Sequence, residues 1–134
     1  TAQRYRMDII SENLANSNTT RTEDGTPYRR KVVTFEERGP AVGTFSSFLG
    51  AAGSKYDRQG VKVSKVTEDT WTPMNMVYDP AHPDADENGY VMGPNVNVVT
   101  EMTNLIDASR SYEANATAFN ASKSIAMKGL EMAQ

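Results

Sequence analysis

The chain contains no cysteine among its 134 residues. That absence excludes a disulfide framework, a zinc-thiolate site, an iron-sulfur cluster and a thiol nucleophile. A single histidine, His82, likewise excludes any site built from several imidazoles. Large core-forming side chains are scarce too: Leu, Ile, Val and Phe together number 23 of 134 residues. That share, about 17%, lies under the roughly 20% below which a chain struggles to bury a core of its own. Neither sign of charge dominates, with 14 basic and 17 acidic residues and a net charge of −3. Self-repulsion therefore does not hold the chain open, and no general attraction to nucleic acid is indicated. No apolar run approaches the roughly 18 residues needed to span a bilayer, and no leader-like segment opens the chain. The composition reads as a soluble chain that completes its hydrophobic burial against partners.

What is present divides into a helical start, an irregular β-leaning middle and one long helical end. Residues 2 to 15 contain neither Gly nor Pro. Ala2, Tyr5 or Arg6, Ile9 and Asn13 recur at spacings of three and four beside a second stripe of Met7, Ile10 and Leu14, which predicts a helix. It should stop in Asn16-Ser17-Asn18-Thr19-Thr20, where side-chain oxygens compete for backbone groups, so Asn16 and Asn18 are assigned turn and cap roles. All six prolines and eight of the nine glycines fall between residues 21 and 94. Short strands are expected there at Lys31 to Phe35, Val61 to Val66, Met76 to Tyr78 and Tyr90 to Met92. The stretch from about 39 to 60, with Phe45, Phe48 and Tyr56, shows no period and reads as a long loop.

After Pro94 the chain has no proline and a single glycine, Gly129. One helix is expected, with Asn97 as its N-cap, Glu101 complementing the dipole at its start and Lys128 at its end. Met102, Leu105, Ser109, Tyr112, Ala116, Phe119, Lys123, Ala126, Leu130 and Ala133 follow an alternating three-four spacing and form a seam. Its middle is small and polar. A helix of about 36 residues is about 54 Å long, whereas a compact globule of this chain length is only about 36 Å across. Such a helix cannot hide in its own domain. One outcome is a monomer whose end helices form a coiled pair; the other is a tube or filament in which the paired ends pack on neighbouring subunits.

Candidate chemistry is thin. Asp84-Ala85-Asp86-Glu87-Asn88-Gly89-Tyr90-Val91 matches the first eight positions of a calcium loop, but Asn95 stands where a bidentate glutamate is needed and prolines replace the flanking helices. A solvated turn before the strand at Tyr90 is the better reading. His82 lacks the companions of a catalytic triad or a metal site, and Glu36, Glu37, Asp57, Glu68 and Asp69 read as surface carboxylates. Tyr28-Arg29-Arg30-Lys31 with Arg21 forms the one basic cluster, and its lead into a strand outweighs a base-stacking role. Neither a cofactor nor a metal is expected, and catalytic residues are assigned nowhere.

The two ends together resemble the axial proteins of the bacterial flagellum, most closely those of the proximal rod. The resemblance runs from Ala2-Gln3-Arg4-Tyr5-Arg6-Met7-Asp8-Ile9-Ile10 through Asn13-Leu14-Ala15-Asn16-Ser17-Asn18-Thr19-Thr20. It continues from Val77-Tyr78-Asp79-Pro80 to Gly89-Tyr90-Val91, then from Pro94-Asn95-Val96-Asn97 to Tyr112-Glu113-Ala114-Asn115. It implies a mainly α protein with a β-rich middle, its N- and C-terminal helices paired as a coiled coil. Residues 1–20 and 95–134 would form the axial core, and 21–94 an outer region. It further implies a non-enzymatic subunit, exported unfolded by the flagellar type III apparatus and assembled helically into the periplasmic rod. Implied partners are itself, other rod proteins, membrane-ring and export-gate components at the rod base and surrounding ring proteins, with no nucleic acid and no small-molecule substrate. Ile9, Leu14, Met102, Leu105, Ser109, Tyr112, Ala116, Phe119, Ala126 and Leu130 are the expected interface residues. The chain opens at Thr1 inside a helical pattern, so further residues extending the first helix are expected. Rival readings are a soluble coiled-coil adaptor and a calcium-binding module.

Overall fold

The computed structural model describes residues 2–38 and 60–132. The expected loop at 39 to 60, with Phe45, Phe48, Tyr56 and Asp57, lies outside the described residues apart from Gly60, and so does the seam position Ala133. The first helix, α1, spans Ala2–Ala15 and ends where Asn16 donates its side-chain amide to the Glu12 carbonyl at 2.9 Å. Thr19 then donates its hydroxyl to Asn16 Oδ1 at 3.2 Å. Both bonds offer the backbone an alternative to another helical turn. Between α1 and the first strand, a tight turn at Thr22 to Thr26 places Gly25 at φ +75°, in the left-handed region that glycine enters without steric cost.

Among the described residues the middle forms two separate antiparallel hairpins rather than one sheet. Strand β1, Lys31–Glu37, pairs with β2, Val61–Glu68. The register skips Ser64 between the Thr34 and Phe35 pairings, a bulge that adds local twist. Val33 and Phe35, opposite Val66 and Val63, form the half-buried face of this hairpin, while Thr34, Glu36, Lys62 and Lys65 point to solvent. Strand β3, Asn75–Tyr78, pairs with β4, Tyr90–Gly93, in a second and smaller hairpin.

The last helix, α2, runs from Val98–Glu131, 34 residues, or about 51 Å at the usual rise. Asn97 caps it: in extended backbone at φ −96° and ψ 108°, its side chain accepts the Thr100 amide at 3.1 Å. Asn13 near the end of α1 meets Glu101 in the first turn of α2, so the two helices run antiparallel. Helix α1 is thereby wedged between α2 on one side and the β1–β2 hairpin on the other. This junction is where the small core sits: Ile10, Tyr28 and Ala108 are buried there, Val91 is buried under β3–β4, and the fully enclosed large side chains are polar, Asn13 and Glu101.

Candidate functional site

Two features stand out, a buried polar clamp at the helix junction and a long uncovered surface beyond it. The clamp begins with Asn13, which sits on the inner stripe of α1 and is 0% exposed. Its amide nitrogen donates to the Lys31 carbonyl at 2.9 Å and to Glu101 Oε2 at 3.2 Å. Its oxygen accepts from the Tyr28 hydroxyl and from the Lys31 amide, both at 2.9 Å. All four of its hydrogen-bonding capacities are used. Flipping the amide would set its NH2 against the Lys31 N–H, so the partners fix its orientation. In effect the side chain of Asn13 acts as a short extra strand along the start of β1, tying α1 to it.

Glu101 is the second member, 1% exposed. Its other oxygen accepts from Arg30 Nε at 2.8 Å, and Arg30 also reaches Asp69 Oδ2 at 3.3 Å. Taking the Glu101 carboxylate out of water is costly, and the Arg30 guanidinium with the Asn13 amide offsets that cost through charge-assisted bonds. Asn95, also buried, accepts the Arg30 amide at 2.7 Å and donates to the carbonyls of Asp69 and Thr72 at 2.9 and 3.2 Å. Lys31 extends the network to Glu12 on α1. Five segments of chain thus meet in one network.

The electrostatics follow from this packing. Burial pushes the Tyr28 phenol up to about 12, and the negative charges of Glu12, Glu101 and Glu68 act in the same direction. The Thr72 amide and hydroxyl, then the Trp71 amide and Arg30, hold the Asp69 carboxyl below the usual carboxylate range. Both polar side-chain atoms of Asn13, Asn95 and Glu101 are engaged, and among the described residues of the clamp no nucleophile is paired with a base. Its chemistry is to fix the relative position of α1, β1 and α2. Beside it a cleft of about 280 Å³, lined by Arg6, Ile9, Ile10, Phe35, Glu101 and Asn104, separates the helices from β1.

The acidic turn of the smaller hairpin has found other partners than a cation. Asp84 accepts the Thr20 hydroxyl at 2.9 Å and lies 3.7 Å from Arg21, and Asp86 Oδ1 accepts the amides of Asn88 and Tyr90 at 2.9 and 2.8 Å. Gly89 at φ +81° completes the turn; a Cβ there would lie 3.0 Å from the Tyr78 ring. The His82 ring nitrogen accepts the Asp84 amide at 3.1 Å, a turn contact.

The seam residues fall into two groups. Ile9, Leu14, Leu105 and Ser109 are half-buried at the junction. Met102, Tyr112, Phe119 and Leu130 are 51, 44, 71 and 71% exposed, and Ala116 and Ala126 are also exposed. The α2 positions that face inward are Glu101 and Ala108, each one residue before a seam position. From Tyr112 to Met132 every residue of the helix and its C-cap is exposed. Asn16 and Asn97 occupy helix ends, and Asn18 lies in the turn after α1. Sequence reasoning missed the clamp itself. Its signals were present: a polar Asn13 on an otherwise apolar helical stripe, and an asparagine and a glutamate flanking the cap of α2.

Comparison with known proteins places these features. Residues 87–132 match the family described as "Flagellar basal body rod FlgEFG protein C-terminal", and residues 1–21 match that described as "Flagella basal body rod protein". The flagellar basal-body rod protein FlgC of Bacillus subtilis is 50% identical over 138 residues, covering 98% of this chain and 89% of that protein. The FlgC proteins of Borreliella burgdorferi and Salmonella typhimurium are 45% and 41% identical, covering 100% and 99% of this chain and 90% and 89% of their own.

Proposed function

Because this chain belongs to the flagellar basal-body rod protein FlgC family, we propose that it assembles helically through its terminal helices into the proximal rod. It is a structural subunit of the flagellar basal body, and its family is not one of enzymes. In our reading the rod crosses the periplasm, transmits torque and encloses the export channel. The subunit reaches it through the type III apparatus. Its partners are further copies of itself, other rod proteins, the membrane-ring and export-gate components at the base, and the surrounding ring proteins. Residues 1–20 and 95–134, paired in coiled-coil fashion, line the channel as the axial core, and residues 21–94 face outward.

The observation that carries this reading is the uncovered half of α2. Phe119, Ile125 and Leu130 are 71, 73 and 71% exposed on a helix that outruns α1 by more than half its length. A helix gains most of its stability in water from packing an apolar face, so this half, which no other described element covers, is built to receive a packing partner. The seam of Met102, Leu105, Ser109, Tyr112, Ala116, Phe119, Ala126 and Leu130, with Ile9 and Leu14 of α1, is the surface we assign to subunit contacts. Small residues at Ala116 and Ala126 let neighbouring backbones approach.

Substituting Trp for Ala116 or Ala126 tests the assignment. Either variant should leave unfolding of the isolated chain within about 0.5 kcal/mol of wild type, since the positions are exposed. Both should block rod assembly, read by electron cryotomography of cells in which the variant replaces the wild-type gene. Normal rods with both variants would sink the placement. An intact rod in the deletion strain itself would sink the rod role.

A further inference from the structure

We propose that the outer face of the β3–β4 hairpin is a docking surface for the distal half of α2 from a second copy of this chain. The inference rests on the self-assembly proposed above and names the surfaces that meet. The register sets Met76 opposite Met92 and Tyr78 opposite Tyr90. Residues directly opposite in an antiparallel pair share a face. All four side chains are exposed, at 62, 47, 64 and 44%; on the reverse face Val91 is 5% exposed and Val77, opposite it, 51%. A two-stranded hairpin covered on one side normally turns polar residues outward. This one turns outward two methionines and two tyrosines, the tyrosine rings packed edge to face at 5.2 Å and 66°. Neither helix packs on β3 or β4 within the chain. The result is a continuous apolar patch of the sort that marks a protein interface.

Two observations identify the occupant. The first is charge. Between residues 114 and 130 the only charged side chains are Lys123 and Lys128. The turn that closes the hairpin exposes three carboxylates, Asp79, Asp86 and Glu87, at the end of the patch. The helix face that carries Phe119 and Leu130 also carries Lys123, four residues after Phe119, and it meets an apolar hairpin face with an acidic rim, which is the complementarity that orients an encounter. The second is reach. The hairpin joins α2 at its start, through Asn95 to Asn97. Phe119 lies 22 residues beyond that cap, about 33 Å along the axis. Phe119, Ile125 and Leu130 remain exposed, so a chain's own hairpin does not cover its distal helix. A second copy displaced along the axis brings the two together. The contact joins different surfaces of the two copies, so it repeats without closing.

The test places the photoreactive residue p-benzoylphenylalanine at Tyr78 in the full chain and irradiates purified basal bodies. The expected adduct has twice the mass of the chain, and its partner peptide maps within residues 112–132. Changing Lys123 and Lys128 together to Glu should lower the adduct yield by about fivefold, equivalent to roughly 1 kcal/mol of contact. Met76 provides a second probe position should the Tyr78 probe prevent incorporation. An adduct to a different protein, an adduct to another segment of this chain, or no adduct from either position in basal bodies that contain the chain overturns the docking proposal. Absence of the wild-type chain from basal bodies overturns the rod reading instead, so the two failures are distinct.

Discussion

The two halves of α2 have similar helix-forming sequences and opposite surroundings. From Val98 to Ser111 the helix is anchored: Asn97 caps it, Glu101 and Ala108 are enclosed, and α1 lies antiparallel along it. From Tyr112 to Met132 every residue is exposed. The anchored half is held by polar groups, Asn13, Arg30 and Glu101, whose hydrogen bonds demand specific positions. The free half carries Phe119, Ile125 and Leu130, whose contacts are non-directional. Directional bonds suit a junction that must hold one geometry inside each subunit. Non-directional surface suits a helix that receives whichever neighbour the assembly supplies.

Disrupting the anchored half should cost the most. Arg30→Met leaves the Glu101 carboxylate buried without its cation, and loss of one partner from a buried pair costs about 3–5 kcal/mol. Because Arg30 is itself partly exposed, the lower end is expected, read as a drop in the urea midpoint of the isolated chain. Asn13→Ala strands the Tyr28 hydroxyl and both Lys31 backbone groups. At the cost of leaving buried groups unpaired it should lose about 2–3 kcal/mol, with thermal unfolding followed by circular dichroism as the readout.

Alkaline pH strains the same junction without a mutation. Burial raises the Tyr28 phenol pKa to about 12 in the folded chain, above its ordinary value of 10.0, so the unfolded chain releases this proton first. The contribution of the neutral phenol is complete below about pH 10 and is lost as pH rises towards about 12. Stability should fall across that window in the wild type and fall less steeply in Tyr28→Phe. Asn97→Ala removes one cap and should cost about 1 kcal/mol, seen as fraying at the start of α2 by amide hydrogen exchange. Phe119→Ala, in the free half, should change isolated-chain stability by no more than about 0.5 kcal/mol and still impair motility on soft agar. A large loss of stability in that last variant would erase the contrast between the halves.

How much of this was legible beforehand varies element by element. Spacing and the Gly/Pro boundary placed α1 and α2 to within a residue or two, because helix limits are local properties of caps and breakers. The four strands emerged at the expected segments, extended by one or two residues. Their pairing into two separate hairpins was hidden, since pairing depends on register across turns that no local pattern specifies. The seam on α2 was read from its spacing, and Leu105 and Ser109 are half-buried at the junction, while the fully buried positions of the helix are Glu101 and Ala108. A glutamate is scored as a surface residue unless its partner is known, and that partner, Arg30, lies 71 residues away.

By itself the amino-acid sequence determined the elements, their ends, the excess length of α2 and the family. Each is encoded in neighbouring residues or in the order of motifs along the chain. Only the tertiary structure decided that Asn13, Arg30, Asn95 and Glu101 converge on one clamp, and that β3 and β4 turn an apolar face outward. A buried polar side chain is stabilised by partners distant in sequence, and the face a strand presents depends on what packs behind it. Neither can be read from residues taken in order.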